Sequence, residues 1–332
     1  MSLDVVRTTV LELPDRGTVQ FSEPLSPLVL DMLAEAMAGR PDLRLRAHGR
    51  SFDPALSFLD AFPNLHRLAI DLWHCESFEP VRRFTDLVDL GLGETRSTRP
   101  SLTVLERLPH LQSLWIERHS KNFEAAGTLR NLRSLSLRTS RILTLQPLAD
   151  HPTLEMLSVS FGGLRDLGPI ASMPELKAVS LHQVRQFRST DLEPIAHATG
   201  LRTLELQHLP RLTSLDLISK HPTLQHVHLE AMRGIESIAP LGQCPYLEFF
   251  VASGSRPGDQ LLSPLRSCER LQHVSIGDVY PTSEIEAFLS GYAGITFWYR
   301  GEMLRGGETG NQGVWGWNFW DHVCDSMNAQ WK

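Results

Sequence analysis

The feature that most constrains this chain is a short apolar pattern, L-x-x-L-x-L, that recurs along most of its 332 residues. A strand has a period of two, so its alternating apolar residues are typical of one buried strand face. One strand this short cannot bury that face alone, whereas stacked neighbours can, and the sequence therefore predicts a solenoid. Numbering the first apolar residue of each unit as position one, position one recurs every 21 to 25 residues, at Leu65, Leu87, Leu111, Leu132, Leu154, Leu176, Leu201, Leu224, Leu247, Leu271 and Ile295.

The second half of each unit carries its own pattern, an apolar pair around a proline. Leu145-Gln-Pro147-Leu148 and Leu167-Gly-Pro169-Ile170 are examples. Proline fits the first turn of a helix but not its interior. We therefore expect a short 3₁₀ or helical turn on the side of each repeat opposite its strand.

These two halves together resemble the leucine-rich repeat, in its short bacterial, internalin-like form of about 22 residues, over about residues 60–300. The resemblance implies an α/β solenoid: an arc with a parallel β-sheet on the concave face and 3₁₀ or helical turns on the convex face, capped at both ends. The family usually carries Asn or Cys at position nine, where its side chain binds the loop backbone. Here position nine holds other residues, so the turn after each strand must be held differently: Trp73, Thr95, His119, Ser140, Gly162, Val184, Leu209, Met232, Ser255 and Val279.

Three domains are predicted: an N-terminal cap over 1–40, a solenoid of about 11 repeats over 41–300, and a Trp-rich C-terminal cap over 301–332. Residues 4–22 read as a β-hairpin around Pro14–Gly17, and Ser26 then precedes an amphipathic helix. Five of the seven tryptophans lie in the last 35 residues, which suits an end cap because large aromatics bury much area. An aromatic ligand pocket or a docking tail is the alternative.

Composition and charge disfavour several classes of protein. The net charge of −6 disfavours nucleic acid, whose partners are usually basic, and no apolar run is long enough to span a membrane. The start of the chain does not resemble a secretory signal. The four cysteines are too scattered for a disulfide framework, although Cys244 and Cys268 occupy the same repeat position and should be stacked reduced thiols. We predict a cytoplasmic, bacterial protein, its arginine-heavy usage being typical of GC-rich coding.

Catalytic signatures are missing from the sequence. It has no G-x-S-x-G, H-E-x-x-H or C-x-x-C motif and no phosphate loop, since the Gly-rich run at 306–313 lacks a lysine. We therefore predict no catalytic residue, no bound metal and no cofactor.

Positions three, five and seven should point away from the core, because strand side chains alternate. Trp115, with Glu117 and Arg138, has the composition of an interface hot spot, and serines at 136, 158, 160 and 180 form a smooth polar floor. The predicted partner-binding residues on these positions are Arg67, Asp89, Trp115, Glu117, Arg138, His182, Glu205, His226, His228, Glu230, His273 and Tyr299.

One cluster on this face raises an alternative. His226, His228, Glu230 and His273 could bind a metal or move protons, which would make the chain a metal- or His-dependent enzyme. Against this, Phe249 and Val251 come between His226 and His273 in the stack. A pH-sensitive contact surface is a second interpretation of the same residues.

We therefore predict non-enzymatic protein–protein recognition, as an adaptor or regulator, through the concave face. That face carries two arginines against five acidic residues, at 71, 89, 117, 205 and 230, which favours a protein partner with a basic patch and neither nucleic acid nor membrane. A bacterial immunity-type inhibitor that occludes a toxin is the alternative binding role. The sequence does not identify the partner or the oligomeric state.

Overall fold

A computed structural model describes residues 3–292, 294–300 and 302–305 of the chain. These residues divide into two compact units, Met1–Leu154, called unit one, and Glu155–Lys332, called unit two. The boundary falls inside the L-x-x-L-x-L pattern of one repeat, so it does not interrupt the repeat series.

Unit one is a parallel sheet followed, repeat by repeat, by 3₁₀ helices. Neighbouring strands pair in chain order and in register, each apolar residue beside its equivalent, as Leu68 is beside Leu90. The strands are β1 (Thr18–Phe21), β2 (Arg44–Gly49), β3 (Arg67–Leu72), β4 (Asp89–Leu92), β5 (Ser113–Glu117) and β6 (Ser134–Arg138). The 3₁₀ helices are Ser57–Ala61, Glu79–Arg83, Leu102–Arg107, Phe123–Thr128 and Gln146–Leu148.

The N-terminal hairpin does not form. Residues Leu3–Leu11 are a helix, α1, and β1 pairs parallel with β2 instead of antiparallel with an earlier strand. The Val- and Thr-rich sequence suggested strands, but α1 packs against the predicted helix α2 (Pro27–Met37) and buries Val10 there. Arg40 donates to the carbonyls of Leu11 and Leu13 and so holds the end of α1. Tertiary packing overrode local propensity.

Unit two repeats the same plan. Its parallel strands are β7 (Met156–Ser160), β8 (Ala178–His182), β9 (Thr203–Gln207), β10 (His226–Glu230), β11 (Phe249–Ser253), β12 (His273–Ile276) and β13 (Thr296–Tyr299), and β14 (Glu302–Arg305) is antiparallel to β13. Its 3₁₀ helices are Gly168–Ser172, Ser189–Leu192, Asp216–Ile218, Ala239–Gln243 and Ser263–Ser267, and its α-helices are α3 (Glu193–His197) and α4 (Thr282–Ser290). The parallel strands and 3₁₀ turns confirm the predicted fold class.

The last repeat has a different phase from the one predicted. Phe297 is fully buried and pairs with Val274, while Trp298 pairs with Ser275 and Tyr299 with Ile276. Helix α4 replaces the short 3₁₀ turn before this strand, and the strand register makes Phe297, and not Trp298, the residue at position four. Because a shift of one residue exchanges the two faces of a strand, Tyr299 is wrong as a position-five residue and Trp298 takes that place.

The turns after the strands are held by backbone conformation and by varied side chains. Position eight is left-handed in consecutive repeats, with a φ of 66° at Arg118, 49° at Thr139 and 55° at Phe161, and the Arg118 amide donates to the Arg138 carbonyl. At position nine, Ser255 donates to the Leu229 carbonyl and accepts from the Met232 amide. These contacts hold the turns that asparagine side chains usually hold in the leucine-rich repeat.

A second set of side chains satisfies the turns on the opposite edge of the sheets. Three residues before position one, His151 contacts the Leu129 carbonyl through Nε2 at 3.0 Å, and His221 contacts that of Ile195 at 3.2 Å. Cys244 and Cys268 donate to carbonyls of the preceding repeat from the same position. Both thiols are free and buried, as predicted, and burial raises the pKa of Cys268 to about 12.

Candidate functional site

In each unit, positions three, five and seven of the strands share one side of the sheet, which we call the open face. Positions four and six carry the buried leucines, isoleucines and valines on the other side, because strand side chains alternate. The open faces hold all the predicted partner-binding residues except Tyr299.

The open face of unit one is organised around Asp89 of β4. This carboxylate is only 5% exposed, and it accepts from Arg67 at 2.6 Å and also from Arg44. On the same face Arg46 pairs with Asp71 at 3.3 Å, where both side chains remain in contact with solvent. Buried Asp89 is therefore held by two guanidinium groups, and the face has more guanidinium than carboxylate.

Arg44 and Arg46 were not among the residues predicted from the sequence. They lie on β2, in register with Arg67 and Ala69 of β3, ahead of the first predicted repeat unit at Leu65. The alternation of charged and apolar residues in Arg44-Leu45-Arg46-Ala47 is the sequence signal that would have indicated this strand. With these residues the open face of unit one carries four arginines, including Arg138, against Asp71, Asp89 and Glu117, which removes the acidic excess predicted for it.

Trp115, Glu117 and Arg138 lie together on β5 and β6 as predicted. Arg138 Nε is 3.2 Å from Glu117 Oε1, and the Trp115 indole lies beside Gly91, where an added Cβ would be 3.6 Å from the ring. Burial raises the pKa of Glu117, and Arg138 opposes that shift. A half-exposed indole next to an ion pair is the arrangement typical of an interface hot spot.

The open face of unit two is organised around Glu205 of β9, which is 2% exposed. Its carboxylate accepts from Ser180 at 2.7 Å and contacts His228 Nδ1 at 3.1 Å, and Gln207 is a third donor. Burial opposes ionisation of Glu205, but hydrogen bonds from His228 and Ser180 outweigh it, and its pKa is lowered. Buried Glu205 is thus unavailable to a partner.

This arrangement is not that of a hydrolase triad. In a triad the histidine contacts the serine and the carboxylate orients the histidine, whereas here the carboxylate lies between Ser180 and His228. Replacing His228 with glutamate would bring two carboxylates together. His228→Glu is therefore unsuitable as a probe of the surface alone.

A row of rings crosses β10, β11 and β12 at position three. The Phe249 ring is 4.7 Å from that of His226 and 5.8 Å from that of His273, between centroids. Phe249 therefore separates the two histidines that a shared metal would need. In the described part of the chain no three His, Cys, Asp or Glu side chains converge as metal ligands.

His182 belongs to a different row. Its ring is 4.7 Å from that of Phe161 and 5.9 Å from that of His208, at the carboxyl-terminal ends of the strands. Phe161 and His208 occupy the left-handed position eight, which lies outside the predicted binding positions three, five and seven. Glu230, on β10, is half-buried, and the predicted His/Glu cluster is thus divided among three separate sets of contacts.

One cleft lies off the open faces, at the amino-terminal ends of the strands in unit one. It has a volume of about 380 Å³ and is lined by His66, Asp86, Val88, His110, Gln112 and Asn131. Asn131 is held there by donating to the Pro109 carbonyl at 2.8 Å. The cleft was not predicted, because its lining residues lie outside the strand positions.

Comparison with known proteins identifies the fold. Internalin InlF from Listeria monocytogenes is similar to this chain with a TM-score of 0.59 and 16% identity, over 93% of this chain and 95% of that one. Internalin C2 from the same organism (TM-score 0.45, 21% identity, 59% and 83% covered) and a leucine-rich-repeat protein of Leptospira interrogans (0.44, 15%, 84% and 88%) are more distant. The chain therefore has the leucine-rich-repeat solenoid fold, as internalin InlF does.

Sequence comparison adds nothing to this, since no family model and no curated protein matches the chain. Among the described helices, none combines the length and the hydropathy required for a transmembrane span.

Proposed function

We propose that this chain is a non-enzymatic recognition protein, an adaptor or regulator, that binds another protein through the open faces of its repeats. The observation that carries the proposal is the Trp115–Glu117–Arg138 group, a half-exposed indole beside an ion pair on a rigid strand surface. Leucine-rich-repeat solenoids use such extended faces for binding.

The charge of the faces changes the expected partner. Unit one carries an arginine excess, and in unit two the buried carboxylate of Glu205 is occupied by neighbours, which leaves Glu230 as the accessible acid of its open face. A partner with a single basic patch therefore fits less well than the sequence indicated. We expect a partner that offers carboxylates to Arg44 and Arg46 and apolar groups to Trp115.

Affinity capture from the native cell extract tests the proposal, with wild type beside a Trp115→Ala/Arg138→Ala double variant. Both residues are accessible and sit outside the buried core, so folding should be retained. A single protein recovered stoichiometrically by the wild type and lost in the double variant is the expected result. The matched control is Arg82→Ala, on an exposed 3₁₀ helix away from the open face; equal loss in this control, or full retention in the double variant, would contradict the proposal.

A further inference from the structure

The cleft of unit one lies at an edge of the sheet that the proposed function does not use. Its lining residues occupy position two, or the place directly before position one, in successive repeats. In chain order they are His66, Asp86, Val88, His110, Gln112 and Asn131. His66 and Val88 are half-buried and the other four are exposed, so a ligand can enter the cleft from solvent.

The backbone under these side chains is fixed by repeated pairs of hydrogen bonds. The His66 carbonyl accepts from the amides of Val88 and Asp89, at 2.8 and 3.2 Å. The Val88 carbonyl in turn accepts from the amides of Gln112 and Ser113, at 2.9 and 3.0 Å. A lining held in this way needs little reorganisation when a ligand binds, and such preorganisation favours affinity.

Most of the polar side chains of the cleft have no partner in the described part of the chain. Among them, Asn131 alone makes a hydrogen bond there, and none makes an ion pair. Equivalent residues of other repeats are bonded internally. Thr153 donates to the Leu132 carbonyl at 2.9 Å, and Lys177 lies 3.5 Å from a carboxylate oxygen of Glu155. The cleft therefore gathers hydrogen-bonding groups that the described fold does not use.

The composition of the lining selects a neutral polar ligand. The lining carries one carboxylate, Asp86, and neither lysine nor arginine, which disfavours phosphate and other anions because these are bound best by cationic donors. Val88 is its one aliphatic side chain, too little for the apolar wall that a hydrophobic ligand needs. In the described residues no three His, Cys, Asp or Glu side chains converge as metal ligands.

We propose that this cleft binds a saccharide through hydrogen bonds between its side chains and the sugar hydroxyls. Each hydroxyl both donates and accepts. The Asp86 carboxylate accepts, the amides of Gln112 and Asn131 do both, and a neutral imidazole offers one donor and one acceptor. The volume of about 380 Å³ lies in the range of small-molecule sites and suits a monosaccharide or a disaccharide.

This saccharide site is separate from the open face of unit one. Its residues lie at or before the amino-terminal ends of the strands, whereas Trp115, Glu117 and Arg138 lie on β5 and β6 themselves. A sugar in the cleft therefore leaves those three residues accessible, and the two ligands need not compete. The saccharide site goes beyond the proposed function and does not rest on it.

Ligand-observed saturation-transfer NMR on the full chain tests the site without a protein partner. The probes are glucose, galactose, mannose, N-acetylglucosamine, maltose and cellobiose, and inorganic phosphate, followed by its ³¹P line width, is the charged comparison. We expect saturation transfer to at least one sugar and no broadening of the phosphate signal. Saturation transfer to none of these sugars would overturn the proposal, and phosphate binding that depends on Asp86 would overturn the ligand class.

Two variants test whether the sugar binds in the cleft. Asp86→Ala removes the carboxylate and Gln112→Trp fills the cleft, and each should raise the Kd about tenfold or more. Both residues are exposed, so folding should be retained, which circular dichroism checks. Gln272→Trp, at the same repeat position and exposed in unit two, is the matched control and should bind as wild type does. Unchanged binding by Gln112→Trp, or equal loss in Gln272→Trp, would overturn the proposal.

None of these variants changes a residue of the open face. Failure of sugar binding therefore leaves the recognition proposal intact, and failure of affinity capture leaves the saccharide site intact.

Discussion

The open faces of the two units share one strand geometry but hold their acidic groups in different ways. In unit one Asp89 is compensated by two full positive charges, Arg44 and Arg67. In unit two Glu205 is compensated by Ser180, Gln207 and His228, of which only the histidine can carry charge. The face of unit one thus keeps a net positive charge, although each of its four arginines contacts a carboxylate. In unit two the polar groups contact one another, and the face presents rings. One repeat scaffold can therefore present two chemically distinct faces.

The strongest test of this difference is Glu205→Ala. The change removes the acceptor for three neighbouring donors at a site that water hardly reaches, and unsatisfied buried groups cost about 1–3 kcal/mol each. We expect the free energy of unfolding to fall by roughly 3 kcal/mol, measured by urea denaturation. Glu230→Ala, a half-buried glutamate of the same face, is the control and should change it by less than about 0.5 kcal/mol; similar losses in the two variants would mean that Glu205 is not buried as described.

Asp89→Asn tests the corresponding centre of unit one. Two arginines then face a neutral amide, and we expect a loss of about 2 kcal/mol in unfolding free energy. Asp71→Asn breaks a pair with Arg46 that is in contact with solvent and should cost less than about 1 kcal/mol. If the two losses were equal, the compensated carboxylate at Asp89 would contribute no more than a surface ion pair.

Acidification should weaken both units through buried histidines. Burial lowers the pKa of His119 and His151 in unit one and of His221 in unit two below 6.5, so the folded chain keeps them neutral. The unfolded chain takes up those protons near pH 6.5. Stability is therefore complete above that pH and falls below it, by at most about 1.4 kcal/mol per pH unit for each histidine.

Urea denaturation at pH 7.5, 6.5 and 5.5 measures this loss. His151→Gln, whose amide can still donate to the Leu129 carbonyl but does not titrate, should give a shallower decline below pH 6.5. An unchanged decline in the variant would exclude His151 as a source of the acid sensitivity.

The smallest expected effects concern the left-handed residues after the strands. Thr139 in unit one has a φ of 49°, a region that β-branched residues avoid, whereas unit two has Gly254 with a φ of 60° at the equivalent position. Thr139→Gly should stabilise by about 1 kcal/mol and Gly254→Ala should destabilise by a similar amount. A Cβ at residue 254 meets no atom within 4 Å, so thermal unfolding of the pair isolates backbone strain from crowding.

Most of the fold was predictable from the sequence because position one and the two following apolar positions are periodic. The same periodicity placed Trp115, Glu117 and Arg138 together, and it placed Phe249 between His226 and His273. It misplaced Tyr299, because Ile295 fitted the apolar pattern as position one, whereas the strand register puts Phe297 at position four. It could not show that Glu205 is buried, because that depends on the side chains of two neighbouring strands.

The ends of the chain were the least predictable part. Helix α1 forms from a Val- and Thr-rich segment because α2 offers it an apolar surface, and local propensity does not report on such a surface. The predicted Trp-rich cap at 301–332 lies outside the described residues apart from β14. Its role stays a prediction.

The way the turns are held has a consequence for ancestry. An asparagine ladder marks every repeat with the same residue, whereas here His119, Ser140 and Ser255 occupy position nine, and what these three repeats share is a left-handed backbone at position eight. Selection on such a turn preserves a backbone conformation and not one residue type. The sequences of homologous chains can therefore diverge while the solenoid fold is kept. Relatedness among such proteins is therefore better preserved in the backbone structure than in the sequence.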